Sequence, residues 1–280
     1  MGRAKDIIVK VIPAKIANEF VKKHHYSGKV VNNSSLHFGA FLDGKLRGVM
    51  SYGSPLDKSK ILGIVVGTGW NEMLELNRMA FDEYLPKYSE SRCIGISVRL
   101  IKKNAPQIKW ILSFSDGTQC GDGTIYRASG FVLTNIVTNK NTCKLPNGEV
   151  IHKMTLESNP TSARRELGGK SYYQLTGGKY DFNKYINEVN GTVLIGYQLR
   201  YVLIIDKNSK LNCPIIPFSK IDEMGAGMYK GKKVSLQERK QHAAIAHLGE
   251  HSVTCREGAF DATVPLKLQR NNSECRILKT

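Results

Sequence analysis

The apolar positions of this chain fall into short continuous runs and into stripes of helical spacing, and the two alternate along the first 160 residues. Ile7 to Val11 reads as a strand. From Pro13, whose fixed φ suits the first helical position, Ala17, Phe20, Val21 and His24 recur at helical spacing. Ser27-Gly28 ends that helix and leaves His25 and Tyr26 in its frayed last turn. Leu36 to Leu42 and Leu46 to Tyr52 form a hairpin around Asp43-Gly44, the pair a type I′ turn wants. A glycine-rich approach, Gly63 to Gly69, leads to a strand from Met73 to Ala80. A loop through Tyr84 and Tyr88 follows, then a helix capped by Ser89 or Ser91 whose buried stripe is Ile94, Val98 and Ile101. It ends before Pro106.

The most informative stretch is Trp110 to Phe131, WILSFSDGTQCGDGTIYRASGF. Its apolar run stops at Ser115-Asp116-Gly117 and resumes as a short helix carrying Tyr126, closed by Gly130. Such a run reads as a strand buried on both faces, the habit of parallel strands. Ligands of such sheets bind at carboxyl ends of strands, where Asp116 should sit. Phe131 to Val137 and Val150 to Leu156 read as a second hairpin over Pro146-Asn147-Gly148. The order is that of a mixed α/β (α+β) fold. Composition shifts at Asn159-Pro160, so residues 1–160 read as the catalytic domain and 161–230 as a small basic extension with one good strand, Gln198 to Ile205. Residues 231–280 read as a disordered polar tail.

Hydrophobic content of 41% fits a globular chain of 280 residues, but the charge stands out. Lys and Arg number 41 against 24 Asp and Glu, a net charge of +17 spread along the whole length. That excess favours a polyanion, and DNA or RNA is the usual one. Six scattered cysteines without a CxxC pair suit a reducing compartment. The opening MGRAKDIIVKV lacks an apolar segment of signal-peptide length, and no run is long enough to span a membrane. The expectation is a cytoplasmic protein with no membrane partner, of undefined oligomeric state.

Each candidate for chemistry has an ordinary structural use beside it. Asp116 can act as a base or orienting carboxylate, or make an Asx turn before Gly117. Tyr126 can protonate a departing thiolate, or pack as a half-buried core phenol. His25 and Tyr26 can take part in chemistry, or His25 can sit as a cation at the negative end of its helix. Ser91 and Arg92 stand at a helix N-terminus, a natural phosphate cradle, after a strand that ends in Arg78. Strand, basic loop and helix start together resemble the acyl-CoA pyrophosphate site of GNAT acyltransferases, for which Arg78, Ser91, Arg92 and Gly95 would serve. His25, Arg78, Ser91, Asp116 and Tyr126 all fall at element ends expected to meet at one sheet edge, and that convergence favours an enzyme. Gly67-Thr68-Gly69 lacks the context of a dinucleotide site. His242, His247 and His251 sit in the polar tail, which explains them without a metal.

The segments HHYSGK (His24 to Lys29), HFGAFLDGKLRGVMSYG (His37 to Gly53), ELNRMAFDEYLPKYSESR (Glu75 to Arg92) and SFSDGTQCGDGTIYRASGF (Ser113 to Phe131) resemble, in order, the Mom family of phage DNA-modification proteins. The likeness covers about the first 155 residues. It implies a GNAT-like mixed sheet with helices on both faces, acetyl-CoA as cofactor and double-stranded DNA as partner. It also implies adenine converted to its N6-carbamoylmethyl (acetamido) form, which shields phage DNA from restriction in the bacterial cytoplasm. Carried over by position, it implies His25, Tyr26, Arg78, Ser91, Asp116 and Tyr126 as active residues. An imidazole, a phenol and a carboxylate at His25, Tyr26 and Asp116 are also a conceivable iron ligand set. Tyr52, Tyr84 and Tyr88 are candidates to stack on an extruded base. Two rivals remain: an acetyl-CoA-dependent N-acetyltransferase acting on a protein or small amine, and a basic DNA-binding protein without catalysis.

Overall fold

The computed structural model describes residues 2–118, 120–229, 232–238, 266–271 and 274–279. The chain opens with β1 (Ile8–Val11) and α1 (Ala14–His24), then the hairpin of β2 (Ser34–Leu42) and β3 (Lys45–Gly53). A one-turn helix, α2 (Lys58–Ile61), leads to β4 (Met73–Phe81), α3 (Ser89–Asn104), β5 (Trp110–Asp116), α4 (Thr124–Ala128) and β6 (Val132–Asn139). There the chain leaves the sheet. It builds β7 (Thr142–Lys144), β8 (Val150–His152), α5 (Lys153–Glu157), α6 (Tyr172–Thr176), α7 (Phe182–Glu188) and β9 (Thr192–Val193), then returns as β10 (Gly196–Ile204). Another short helix, α8 (Ser219–Glu223), precedes two antiparallel pairs, β11 (Met228–Tyr229) with β12 (Lys232–Lys233) and β13 (Leu266–Asn271) with β14 (Glu274–Lys279).

The main sheet has seven strands in the order β1-β2-β3-β4-β5-β10-β6. Its neighbours are antiparallel except β4 and β5, which run parallel as α3 requires of the crossover between them. Alternation along the strands loads both faces. Met50 and Tyr52 join Leu36, Phe38, Ile94 and Ile101 beneath α3, whereas Val49 joins Ala17, Phe20, Val21 and Ala80 beneath α1. Trp110, Ile111 and Leu112 are all buried, on alternating sides, as expected of a strand covered on both faces.

The sheet does not stop at residue 160. β10 lies between β5 and β6 with Leu199, Tyr201 and Val202 fully buried, so residues 161–230 are not an appendage to a finished domain. What lies between β6 and β10 is an insertion with a core of its own, formed by Cys143, Leu156, Tyr172, Tyr185 and their neighbours. The second hairpin is also repartitioned. The turn at Asn147-Gly148 joins β7 to β8, and β6 pairs with β10 instead. Three-residue strands pair with whatever is beside them, whereas the long apolar run of β10 demands a central position. Neither Ser89 nor Ser91 caps α3: Tyr88 does, in left-handed conformation at φ 68°, and both serines donate to carbonyls of their own turn. The expected disordered tail lies largely outside the described residues, as do His242, His247 and His251, but its described parts include β12, which pairs with β11, and the β13–β14 pair.

One glycine is fixed by its surroundings. Gly123 opens α4 at φ 82°, and a β-carbon there would stand 2.3 Å from the Tyr201 ring, whose hydroxyl donates to the Asp122 carbonyl. Gly123→Ala should therefore combine left-handed strain with overpacking and destabilise the protein by about 2 kcal/mol or more. Urea denaturation followed by circular dichroism checks this, and an unchanged midpoint would contradict the packing described.

Candidate active site

β4 and β5 are paired only between Met73–Glu75 and Trp110–Leu112, and beyond that they part. A buried carbonyl released from a ladder must find another donor. Leu76 O finds Ser113 Oγ–H at 3.0 Å, across the opening. The gap so formed is where the candidate residues collect.

A bulge decides which side chains face it. Tyr52 pairs with Leu76 and Ser51 with Arg78, leaving Asn77 as an extra residue on β4. Strict alternation would set Glu75 and Arg78 on opposite faces, but the bulge slips the pattern by one. Both therefore lie on the α1 side, with Ala80 and Val49, while Leu76 and Met79 face α3. Asn77 is held by Ser34 Oγ, which donates to its Oδ1 at 2.7 Å.

The loop after α1 closes over that face. His25 caps α1 in extended conformation, its N–H on Val21 O at 2.9 Å. Ser27 N–H donates to His25 Nδ1 at 3.2 Å, with Ser27 Oγ at 2.8 Å, so the ring proton of the neutral form sits on Nε2. Burial, reinforced by the Arg78 charge, pushes this imidazole down to about 4. His25 is thus neutral, and a charged helix cap is not its role. The Tyr26 ring lies 4.3 Å from that of His25 and is 52% exposed, while its hydroxyl donates to Asp116 Oδ2 at a long 3.4 Å. Burial of that hydroxyl, then the neighbouring Asp116, holds the phenol above its ordinary range. Arg78 donates from Nε to Lys29 O and from Nη1 to Asn77 O, both at 3.0 Å. Its charge reaches His25, Tyr26, Glu75 and Tyr126.

Asp116 makes the expected Asx turn and also faces Tyr26. Oδ1 accepts Thr118 N–H at 2.8 Å, the Asx turn, and Oδ2 faces Tyr26. Tyr126 enters from α4, its ring against Phe131 and Tyr201 and its hydroxyl on Ser113. Burial pushes it up to about 12, so it keeps its proton at neutral pH. His25, Tyr26, Arg78, Asp116 and Tyr126 therefore meet at one place from four segments of chain. Ser91, Arg92 and Gly95 do not join them through any contact. They line the start of α3, where Ser91 Oγ donates to Tyr88 O at 3.3 Å and Arg92 Nη2 to Lys5 O at 3.1 Å.

Two stacking candidates are already engaged. Tyr52 is fully buried with its hydroxyl 2.6 Å from Ser97 Oγ, and Arg47 covers Tyr84 at 3.9 Å from the ring centre. Tyr88 is 55% exposed. Sequence reasoning passed over four groups beside the cluster. Cys120 is exposed near Asp116, and its thiol is held up by burial of the sulfur and by that carboxylate. Lys29 Nζ donates to Thr155 Oγ1 of the insertion at 2.7 Å. His152, from the same insertion, feels Asp116, although burial outweighs that attraction and lowers its pKa. Glu75 is partly buried, and burial against the opposing pull of Arg78 pushes it up to about 7. Its signal in the sequence was a carboxylate between Leu74 and Leu76 inside a strand.

Residues 6–220 match the Mom protein family. The chain belongs to that family. It is 33% identical over 156 residues to the methylcarbamoylase Mom of Escherichia phage Mu, an alignment covering 55% of this chain and 64% of that protein. The chain thus spans a little under two thirds of the length of the curated relative it matches. Among solved structures, similarity extends to a Bacillus subtilis acetyltransferase in complex with CoA, at TM-score 0.39 and 11% identity over 71% of this chain and 99% of that one. A GNAT family acetyltransferase from Elizabethkingia anophelis with acetyl-CoA bound gives TM-score 0.37 and 13% identity over 71% and 98%. The ribosomal-protein-S18-alanine N-acetyltransferase of Escherichia coli gives 0.39 and 10% over 72% and 97%. At these scores the likeness is loose, and the chemistry of the site rests on its own residues.

The iron ligand set expected at His25, Tyr26 and Asp116 finds no support among the described residues. Among the described residues no three His, Cys, Asp or Glu side chains gather at metal-holding separation. The three groups do meet, but His25 Nδ1 and Asp116 Oδ1 accept backbone N–H groups, and the Tyr26 phenol is stabilised in its protonated form.

The neutral His25 has a measurable consequence. Its folded-state value lies below the 6.5 of a free imidazole, so as pH falls the unfolded chain takes up the proton first. Its contribution to stability is intact above pH 6.5 and is lost as pH falls towards about 4. Imidazole NMR should place the His25 titration near 4 in the wild type and higher in Arg78→Met. An ordinary midpoint in the wild type would contradict the buried, Arg78-facing placement.

Proposed function

We propose that this chain is a DNA-modifying transferase that places a carbamoylmethyl group on the exocyclic N6 of adenine in double-stranded DNA, protecting phage DNA from restriction in the host cytoplasm. The observation that carries the reading is the meeting of His25, Tyr26, Arg78, Asp116 and Tyr126 at the open gap between β4 and β5 in a chain of the Mom family. The activity for which the phage Mu relative is named, methylcarbamoylase, agrees with it, and so does the charge of +17. Among the described residues no helix is long and apolar enough to cross a membrane.

Adenine N6 lies within the paired stack, so the base must be extruded, at a cost of a few kcal/mol recovered from phosphate contacts and from stacking. The half-exposed Tyr26 ring offers a surface for that stacking. His25, kept neutral, presents Nε2–H as a donor to the base without adding charge to the cleft. Asp116 orients the Tyr26 hydroxyl. The Arg78 guanidinium stabilises negative charge developing on a leaving group, and Tyr126 holds a proton available to it.

Acyl-CoA is the cofactor we assign to the start of α3. That turn has no side-chain cap, Arg92 Nε is buried without a partner, and a β-carbon at Gly95 would meet no atom within 4 Å. Ser91, Arg92 and Gly95 would hold its diphosphate, and it would supply a two-carbon unit. Attack on a thioester carbonyl would leave an N6-acetyl amide, whereas a carbamoylmethyl product needs a bond at the methyl carbon and an added nitrogen. The mass of the product therefore separates this reading from plain acetyl transfer.

Nucleoside mass spectrometry of plasmid DNA from expressing cells is the test. A heavier deoxyadenosine with the carbamoylmethyl increment is expected, reduced by about 100-fold or more in Arg78→Ala, Asp116→Ala and Tyr126→Phe variants that stay folded. Undiminished modification in all three would remove the site assignment. Unmodified DNA alongside an acetylated protein or amine would replace the reading with N-acetyl transfer. Binding to duplex DNA should also weaken steeply with added salt, in proportion to the phosphates contacted.

A further inference from the structure

Glu75 lies in the cleft with no part in the chemistry described so far. Resting on the adenine-modification reading, we propose that Glu75 is the catalytic base of this site: its carboxylate takes the proton that the exocyclic amine of the base gives up as the new N–C bond forms.

Placement is the first argument. The bulge at Asn77 puts Glu75 on the same face as Arg78, and it is the last residue of β4 paired to β5 before the two strands part. Its opposite numbers are Gly53 on β3 and Leu112 on β5, neither with a polar side chain. Gly53 cannot acquire one, since a β-carbon there would lie 1.9 Å from Asn33 O. The carboxylate is thus denied a partner on the flanking strands. A partly buried acid that gains no side-chain partner from the strands beside it costs stability, and such groups cluster where chemistry needs them.

The second argument is that the other basic atoms here are occupied. His25 Nδ1 accepts Ser27 N–H, and Asp116 gives Oδ1 to Thr118 N–H and Oδ2 to Tyr26. His37, buried two strands away, is tied to Ser51 at 2.8 Å. The charged and titratable groups bearing on Glu75 are Arg78 on β4 and Tyr126 on α4. Behind Arg78 stand His25 and Tyr26 of the loop after α1, with Asp116 and Cys120 beyond β5. With an acidity near neutrality, Glu75 is both ionised enough to accept a proton and basic enough to hold it.

The step balances with a donor of one stated class, a two-carbon carbonyl unit whose methylene, unlike the methyl of a plain acetyl thioester, bears a leaving group. The amine nitrogen bonds to that carbon, the carbon–leaving-group bond breaks with its electron pair going to the leaving group, and the amine proton passes to Glu75. The aromatic amine of adenine is too weakly nucleophilic to react well without losing that proton.

The test uses the purified full-length chain, plasmid DNA and an extract of non-expressing cells to supply the donor, with modified deoxyadenosine measured from pH 5.5 to 8.5. In the wild type the yield should fall about tenfold per pH unit on the acid side of neutrality. Glu75→Gln should lose about 100-fold or more at pH 7.5 while binding duplex DNA and melting like the wild type. Its residual activity should lack the acid limb. Glu75→Asp should keep partial activity with the limb displaced, which decides the matter if the glutamine variant does not fold. An unmoved limb and undiminished yield in both variants would overturn the proposal while leaving adenine modification standing. A wild-type protein that leaves deoxyadenosine unchanged would overturn both.

Discussion

The constraint on which this molecule depends is the incomplete pairing of β4 and β5. Three residue pairs join them before the strands diverge, and the divergence exposes backbone and side chains in what would otherwise be the middle of a closed sheet. Such a gap is costly unless its polar groups are satisfied. Ser113 supplies the hydroxyl that quiets Leu76 O and in turn receives Tyr126, so one small side chain seals the backbone and positions a phenol. His25, Tyr26, Arg78, Asp116 and Tyr126 stand around that opening, whereas Ser91, Arg92 and Gly95 lie at the start of α3.

The surrounding structure sets the charge state of the site by limiting water rather than by gathering carboxylates. His25 and Arg78 are held below their ordinary values, and Tyr26, Glu75 and Tyr126 above theirs, in each case with burial as the leading cause. Burial thus favours the neutral forms of the acids and of the imidazole, leaving Arg78 as the dominant positive charge against Asp116. A cleft so arranged suits proton traffic at neutral pH and the stabilisation of one developing negative charge.

The insertion between β6 and β10 is more than a spacer. Its Thr155 accepts from Lys29 in the loop that carries His25 and Tyr26, and its His152 lies within the influence of Asp116. The same excursion allows β10 to return as a central strand, where Tyr201 anchors the Asp122 carbonyl at the entrance to α4. The loop, the insertion and the sheet therefore support one another around the cleft.

Much of this was legible in the linear pattern. The helical stripe of α1, the Asp43-Gly44 hairpin, the double-sided burial of β5 and the abrupt stop at Asp116 follow from side-chain period and turn chemistry, which act over a few residues. The segments bearing His25, Arg78, Asp116 and Tyr126 could be named for the same reason, although Arg78 lies inside β4 rather than at its end. Tertiary structure alone decided the rest. Whether Val150 pairs with β6 or with β7, and whether Gln198 opens an appendage or a central strand, depends on long-range competition for a place in the sheet. The bulge at Asn77, one residue set by its partner strand, turns Glu75 and Arg78 to a common face against the alternation the sequence displays. Burial, which no local pattern specifies, then determines which of these groups carries a proton.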